Sequence, residues 1–152
     1  KYSPEGIEEA MTEKSIYVEQ CMLYNNQRAY TTILLYPNKE AIRRWINTNK
    51  IEINKTEGKE SILRLISGEI DKFRTGGKYE TMFPQRWLPT AIGILEEGFT
   101  EENHLLNSTV KMVRGKITER YQELIEYLYT PEAKDICNPL NVKAIGNMFS
   151  AE

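Results

Sequence analysis

The sequence predicts an α+β domain in which a small mixed β-sheet of about three strands is packed with helices. Two segments rich in β-branched and aromatic residues, near 16–25 and 29–37, flank the turn-forming stretch NNQR, which indicates a hairpin. A third short apolar segment lies near 91–96. Segments with apolar residues at helical spacing precede, separate and follow these strands. The predicted order is therefore helix, strand, strand, helix, helix, strand, helix.

The first helix is predicted in the opening stretch KYSPEGIEEAMTEK. Ser3 can act as its N-terminal cap, and Pro4 suits the first helical position. Glu5, Glu8 and Glu9 favour the positive end of the helix dipole. We interpret the last two as a solvated helix face, because neighbouring carboxylates on an amphipathic helix are usually exposed.

Two further helices are predicted between the second and third strands. Asn38 is the expected cap of the first. The second has one apolar face over 62–73 and is expected to stop at Gly76–Gly77. The aromatic, proline-containing stretch 78–89 is expected to form a packed loop.

The last predicted helix begins near residue 115, and Thr130–Pro131 should break it before a short final turn. The apolar faces of the helices predict their contribution to the core. The side chains expected to be largely buried are Trp45, Leu65, Ile66, Leu124 and Leu128.

Composition narrows the classes of function. The 152 residues carry a formal net charge of −2, which gives no support to nucleic-acid binding. Cys21 and Cys137 lie far apart and His104 is the single histidine, so neither a zinc site nor a disulfide framework is expected. The apolar surroundings of both cysteines indicate buried, reduced thiols, and no apolar run approaches a membrane span of about 20 residues. These features predict a cytoplasmic protein.

The chain offers little for self-contained catalysis. A nucleophile needs a neighbouring base, and His104 alone in a predicted loop is weak support. The stretch RTGGK lacks the spacing of a phosphate-binding P-loop and follows a helix instead of a strand. The paired carboxylates at 96–97 and 101–102 are interpreted as solvated surface.

One loop, FTEENHLLNSTVKMVRGK over 99–116, carries a lysine that could act chemically. Lys111 lies between a predicted strand and a predicted helix, with Arg114, Lys116 and Arg120 behind it. Two interpretations remain open at this point. The loop is either a solvated segment with scattered charges, or it holds the Lys111 ammonium, a compact point charge, towards an anionic substrate.

The stretches SPEGIEE and FTEENHLLNSTVKMVRGKITERYQELIEYLY resemble the C-terminal domain of AMP-forming long-chain acyl-CoA synthetases, in the adenylate-forming superfamily. The family's loop resembles F-T-x-E-N-G-L-L-T-P-T-x-K-x-K-R. His104, Ser108 and Val113 depart from it by replacing a glycine, a proline and a basic residue, and Gly6 stands where the family often has glutamate. The likeness is weak across 56–89, which we interpret as an insert. The residues in register are Phe99, Thr100, Glu102, Asn103, Leu105, Leu106, Thr109, Lys111 and Arg114.

The resemblance implies that 1–152 is a single C-terminal lid domain excised from a larger ATP-dependent fatty-acid–CoA ligase; a start on Lys1 instead of Met agrees with a fragment. An N-terminal adenylating domain of the same chain would hold ATP, Mg2+ and the fatty acid. Lys111 would reach the acyl carboxylate and the phosphate, and the lid would then rotate for thioester formation with CoA. Thr109, Arg114 and Lys116 are the implied substrate-binding residues.

Several expectations follow from that resemblance for the fragment itself. It should be inactive, should hold no metal ligands and should bind ATP, fatty acid and CoA weakly or not at all. Mg2+ is likewise not expected to be bound to it. Any peripheral membrane contact would be made through the domain outside this sequence. Two other functions are compatible with the residues: a non-catalytic α+β interaction module, and a regulatory domain that binds phosphate through the basic cluster. A long adenylating domain encoded upstream would favour the lid.

Overall fold

The computed structural model describes residues 2–150, and this part of the chain contains six α-helices and three β-strands. The predicted α+β class is confirmed. Short 3₁₀ turns lie at Gln85–Trp87 and Pro131–Lys134. In chain order the elements are α1 (Pro4–Lys14), β1 (Val18–Tyr24), β2 (Thr32–Pro37), α2 (Lys39–Asn49), α3 (Thr56–Asp71), β3 (Ala91–Ile94), α4 (Arg114–Arg120), α5 (Gln122–Tyr127) and α6 (Pro139–Phe149).

The three strands form one mixed sheet in the order β1-β2-β3, as predicted. β1 and β2 are an antiparallel hairpin in which Tyr24 pairs with Thr32. β2 and β3 are parallel, with Thr32 opposite Ala91, so the chain must cross over the sheet between them through α2 and α3. β1 and β3 are the edge strands, and β2 lies in the centre.

Side chains of β2 alternate between two apolar clusters, as the two-residue period of a strand requires. Ile33 and Leu35 face a cluster built with α1, α2, α3 and α6. Leu34 faces a second cluster that contains Leu105, from the loop after β3, together with residues of α4 and α5. The sheet is therefore covered on both faces, and the loop that carries Lys111 forms part of the second cover.

The predicted helices are confirmed with some changes at their ends. Asn38 caps α2, because its side chain accepts a hydrogen bond from the Ala41 amide at 3.1 Å. Ser3 occupies the cap position of α1, but its side chain makes no capping hydrogen bond. The helix α3 ends at Asp71, before the glycine pair at 76–77, because the chain turns at 72–80 to pack Phe73 into the core.

Two features of the last third differ from the prediction. The helix expected after residue 115 is interrupted at Tyr121, whose backbone leaves helical geometry at φ −109° and ψ 25°, so it forms α4 and α5. The expected short last turn is instead the 11-residue helix α6, capped by Asn138, which packs on α3. Its apolar residues Ala144, Ile145, Met148 and Phe149 are buried.

Of the five side chains expected to be largely buried, two are fully so. Ile66 and Leu128 have no exposed surface, whereas Trp45, Leu65 and Leu124 are half-buried. Trp45 packs at the margin of the first cluster and Leu124 at the margin of the second. The apolar faces were thus placed correctly, but the outer side chains of each face remain partly in contact with solvent.

Candidate functional site

The loop between β3 and α4 crosses back to the opposite edge of the sheet, where Gln20 of β1 anchors it. The Gln20 side chain accepts a hydrogen bond from the Phe99 amide at 2.8 Å and donates one to the Phe99 carbonyl at 3.0 Å. The Phe99 ring is buried in the second cluster. The crossing is close at Gly98, where an added Cβ would lie 2.6 Å from the Gln20 side-chain oxygen and would force that side chain to shift.

A tight turn follows the Phe99 anchor and ends at His104. Thr100 and Asn103 exchange side-chain-to-amide hydrogen bonds at 3.0 Å, and the Asn103 amide group donates to the Gly98 carbonyl at 2.8 Å. His104 then has a φ of 67°, in the left-handed region that favours glycine. His104 is exposed and occupies the place of a conformational glycine, so it contributes to chain direction and not to a catalytic pair.

Residues 105–113 form a small irregular hairpin, which we name the Lys111 hairpin. Leu106 and Met112 form an isolated antiparallel bridge, and the Val113 amide donates to the Leu105 carbonyl at 2.9 Å. Leu105 is buried, so one end of the hairpin is fixed in the core. Its tip projects from the surface, with Val110 69% exposed.

The Asn107 side chain organises the tip. Its oxygen accepts hydrogen bonds from the Thr109 amide at 2.9 Å, the Thr109 hydroxyl at 2.8 Å and the Lys111 amide at 3.0 Å. The backbone amide of Asn107 in turn donates to the Lys111 carbonyl at 2.9 Å. The Lys111 backbone is therefore held by one side chain, and the Thr109 hydroxyl is already engaged within the hairpin.

The Lys111 ammonium is exposed, and within residues 2–150 it has no ion-pair partner. It lies at the margin of a groove of about 580 Å³ between α1, β1 and the hairpin. Phe99, Leu106 and Met112 contribute apolar surface to the groove, and Glu5 and Glu9 contribute carboxylates. A free ammonium beside a partly apolar groove can meet an anionic group brought by a ligand or by another domain.

Arg114, immediately after the hairpin, is engaged by Glu8 of α1. Its guanidinium binds both carboxylate oxygens, with Nη1 3.0 Å from Oε2, and Glu5 lies further away at 3.9 Å. The Glu8 side chain is 6% exposed and also accepts a hydrogen bond from the Leu23 amide of β1 at 2.7 Å. Burial raises the pKa of Glu8, although the bonds from Arg114 and Leu23 act in the opposite direction. The hydrogen bonds to Glu8 raise the pKa of Arg114.

The interpretation of Glu8 as part of a solvated face was wrong. The side chain is buried and forms the contact between α1, the edge of β1 and Arg114. A signal was available in the sequence, because Glu8 lies beside Ile7 and three residues before Met11, on the apolar stripe of its helix. Glu9, by contrast, is exposed as expected.

The remaining basic residues do not gather around Lys111. Lys116 is exposed in the first turn of α4, and Arg120 is paired with Glu97. Substrate contacts by Thr109, Arg114 and Lys116 stay predictions, and the first two of these side chains already have partners in the fold.

The cysteines, the metal ligands and the helix lengths add three findings. Both cysteines are free thiols, but the predicted burial holds for Cys21 alone, because Cys137 is half-buried. Burial raises the pKa of the Cys21 thiol. Over 2–150, no group of three or more acidic, histidine or cysteine side chains is placed to hold a metal ion. No helix in the same range is long and apolar enough to cross a membrane.

Comparison with known proteins places this geometry in a family context. No family model matches the sequence. Fatty acyl-CoA synthetase B of Dictyostelium discoideum is 25% identical over 126 residues, which are 80% of this chain and 18% of that protein. Probable acyl-activating enzyme 16, chloroplastic, of Arabidopsis thaliana is 28% identical over 130 residues, 83% of this chain and 17% of that protein.

Solved structures show the same relationship. The adenylation domain of a carboxylate reductase from Mycobacterium chelonae has a TM-score of 0.64 and 25% identity, over 82% of this chain and 17% of that one. This chain carries a domain of the adenylate-forming superfamily. The A domain of a carboxylic acid reductase from Segniliparus rugosus, solved in complex with AMP and a co-purified carboxylic acid, has the same fold. Its TM-score is 0.61 and its identity 24%, over 83% of this chain and 18% of that one. The chain spans less than a fifth of the length of these relatives.

Proposed function

We propose that this chain is the C-terminal lid domain of an AMP-forming fatty-acid–CoA ligase and that Lys111 serves the adenylation step. The observation that carries the proposal is the Lys111 ammonium itself. It is exposed and free of ion pairs within 2–150, while its backbone is held by Asn107 at the tip of a short hairpin. The Lys111 hairpin therefore presents a cation to the outside of the domain.

The chemistry explains why such a cation is useful in one step. A carboxylate oxygen attacks the α-phosphorus of ATP, the bond from that phosphorus to the bridging oxygen of pyrophosphate breaks, and two anionic groups are brought together. A positioned ammonium between them lowers the barrier by stabilising the charge of the transition state. In the second step a thiol sulfur attacks the acyl carbon and AMP leaves, so the same ammonium is no longer required between carboxylate and phosphate. A lid that turns between the steps satisfies both requirements.

In this proposal the larger part of the enzyme lies in an N-terminal adenylating domain of the same chain. That domain would hold ATP, Mg2+ and most of the fatty acid, and the lid would contribute Lys111. Long-chain acids as substrates are supported by a relative named as a long-chain-fatty-acid–[acyl-carrier-protein] ligase, and CoA as the acceptor is supported by the relative named as a fatty acyl-CoA synthetase. The region 56–89 is proposed as an insert of this lid, although residues of α3 within it are part of the first apolar cluster. We also propose a cytoplasmic location.

The test is Lys111→Ala in the enzyme that contains this chain. Acyl-adenylate formation, measured as pyrophosphate release, should slow by about 10² to 10³, the usual cost of removing one preorganised charge-stabilising group. Thioester formation from supplied acyl-adenylate, measured in a single turnover, should change little. Lys143→Ala is the matched control, because Lys143 is an exposed lysine of α6 that does not line the groove beside Lys111. Pyrophosphate release near wild type, or equal loss in both half-reactions, would contradict the proposal.

A further inference from the structure

We propose that Glu8 is a positioning residue for Lys111, acting through Arg114 to fix the base of the Lys111 hairpin against α1 and the outer edge of the sheet. The inference rests on the proposed function for its effect on the reaction. The contact itself belongs to the fold and can be tested without the reaction.

The geometry places Glu8 at the junction of three segments. One carboxylate accepts hydrogen bonds from Arg114, which directly follows the hairpin, and from the Leu23 amide, which faces outwards from the edge strand β1. Arg114 lies three residues after Lys111, with the hairpin-closing Val113 between them. A movement of Glu8 or Arg114 is therefore transmitted to the ammonium over a very short length of chain.

Burial makes this contact more rigid than a surface ion pair. The Glu8 side chain is 6% exposed, so its ionised carboxylate depends on the Arg114 fork and the Leu23 amide to replace water. The two parallel hydrogen bonds of a bidentate pair fix orientation as well as distance. Within residues 2–150, the Asn107 side chain bonds only to residues of the hairpin, so it determines the shape of the tip but not the direction in which the hairpin points.

The start of the loop between β3 and α4 is fixed by Gln20 of β1, the same edge strand whose Leu23 amide is bonded to Glu8. Gln20 holds Phe99 through two hydrogen bonds, while Glu8 holds the exit through Arg114. The two anchors lie on either side of the loop, and the Lys111 hairpin projects between them. Loss of the exit anchor should leave the hairpin folded internally but free to change its angle.

The decisive experiment is a double-mutant cycle in the enzyme that contains this chain. Glu8→Gln retains the side-chain size and an acceptor for Leu23 but removes the charge that holds Arg114. It should slow pyrophosphate release by about 10- to 100-fold, the range expected when a reacting group is misplaced by an ångström or less. Thioester formation from supplied acyl-adenylate should remain near wild type. In the Lys111→Ala background, Glu8→Gln should cost no further rate, because the group it positions is absent.

The control is Glu13→Gln, which removes an exposed carboxylate from the same helix. It should leave both half-reactions unchanged. If Glu8→Gln behaves like this control, or if it slows the Lys111→Ala enzyme by the same factor as the wild type, the positioning role is overturned. If Glu8→Gln fails to fold, Arg114→Lys replaces it in the cycle, because a lysine keeps a cation beside Glu8 but lacks the bidentate fork.

Amide hydrogen exchange separates this inference from the proposed function. The Asn107 and Val113 amides report the hairpin and its base, and both are hydrogen-bonded. In Glu8→Gln the Val113 amide should exchange at least several-fold faster, while Ile33 in the central strand should remain protected. Unchanged exchange at Val113 would overturn the positioning role even if Lys111 proves essential. Faster exchange together with an inconsequential Lys111→Ala would support the contact and reject the proposed function alone.

Discussion

Within residues 2–150, two bidentate arginine–glutamate pairs join distant parts of this domain, and they differ most in the burial of their carboxylates. Arg114 binds Glu8 beside the Lys111 hairpin, and Arg28, in the turn between β1 and β2, binds Glu126 of α5 with distances of 2.9 and 3.1 Å. The two arginine side chains are almost equally exposed, at 33% and 32%. The carboxylates are not, because Glu8 is 6% exposed and Glu126 is 59% exposed.

Because of that difference in exposure, the pKa values of the two carboxyl groups shift in opposite directions. Hydrogen bonding to Arg28 lowers the pKa of Glu126, since water still solvates its charge. Burial raises the pKa of Glu8 in spite of the same kind of partner and an additional backbone donor. Desolvation of the carboxylate, and not the geometry of the fork, therefore decides what each pair does.

The largest expected effect is on stability. Glu8→Ala should lower the free energy of unfolding by about 2–4 kcal/mol, because it leaves the Leu23 amide without its acceptor and Arg114 without a counter-charge. Glu126→Ala should remain close to wild type, because both partners regain water and Arg28 still stacks on the Tyr129 ring, 3.9 Å from its centroid. Urea denaturation followed by tryptophan fluorescence measures both variants. Equal losses in the two would show that carboxylate burial is not the deciding variable.

A second prediction uses Cys21 as a reporter of local opening. Its thiol is 3% exposed and lies 3.8 Å from the Glu8 carbonyl oxygen, on the strand that Glu8 contacts. Glu8→Ala should increase the rate at which a thiol reagent labels Cys21 by about tenfold or more, since local opening exposes it. Glu126→Ala should not change that rate. Half-buried Cys137 is an internal reference in every sample, and an equal acceleration at both thiols would indicate global unfolding instead.

The sequence predicted the parts of this molecule that depend on local pattern. The three strands, the Asn38 cap and the apolar faces of α1 to α3 follow from periodicity and turn residues, which act over a few positions. The Arg114–Glu8 pair joins residues 106 positions apart, so no local pattern specifies it. The resemblance to a known family singled out Lys111 and Arg114 but gave no indication that the partner of Arg114 is Glu8.

The helix α6 was missed for a related reason. Its stability depends on tertiary contacts, because the Asn141 side chain donates to the carbonyls of Ile92 and Ile136 and accepts from the Ile94 amide. Asn141 thereby completes the outer edge of β3, much as Glu8 completes the outer edge of β1. Asn138 as the cap and Pro139 at the first helical position were a local signal for this helix, whereas the role of Asn141 becomes visible only at the folded sheet edge.

The pH dependence of stability should have opposite signs for the two carboxylates. The folded-state pKa of Glu8 is raised, so its contribution to stability declines as the pH rises from the ordinary value of 4.5 towards that raised pKa. The folded-state pKa of Glu126 is lowered, so its contribution is present above 4.5 and is lost as the pH falls through the lowered pKa.

The measurement is the difference in unfolding free energy between wild type and each glutamine variant, followed from about pH 3 to about pH 7. The difference for Glu126→Gln should grow as the pH rises through the acidic part of this range and then level off. The difference for Glu8→Gln should shrink over the part above 4.5, because the wild type must ionise a buried carboxyl there. Parallel curves would mean that the buried pair is solvated in solution.

The smallest effect should be the response of each pair to salt, and it isolates the role of water most directly. Raising the ionic strength from about 0.1 M to about 1 M shortens the screening length from about 10 Å to about 3 Å, which weakens interactions between solvated charges. The coupling between Arg28 and Glu126, obtained from a double-mutant cycle, should fall towards zero. The coupling between Arg114 and Glu8 should persist, because ions cannot reach a carboxylate that is 6% exposed. Each cycle uses the glutamine variant of the glutamate and the methionine variant of the arginine, which keep the side-chain volumes similar. If the Arg114–Glu8 coupling also disappears at high salt, then the pair is accessible to solvent, and a contact of that kind would hold the Lys111 hairpin too loosely to position its ammonium.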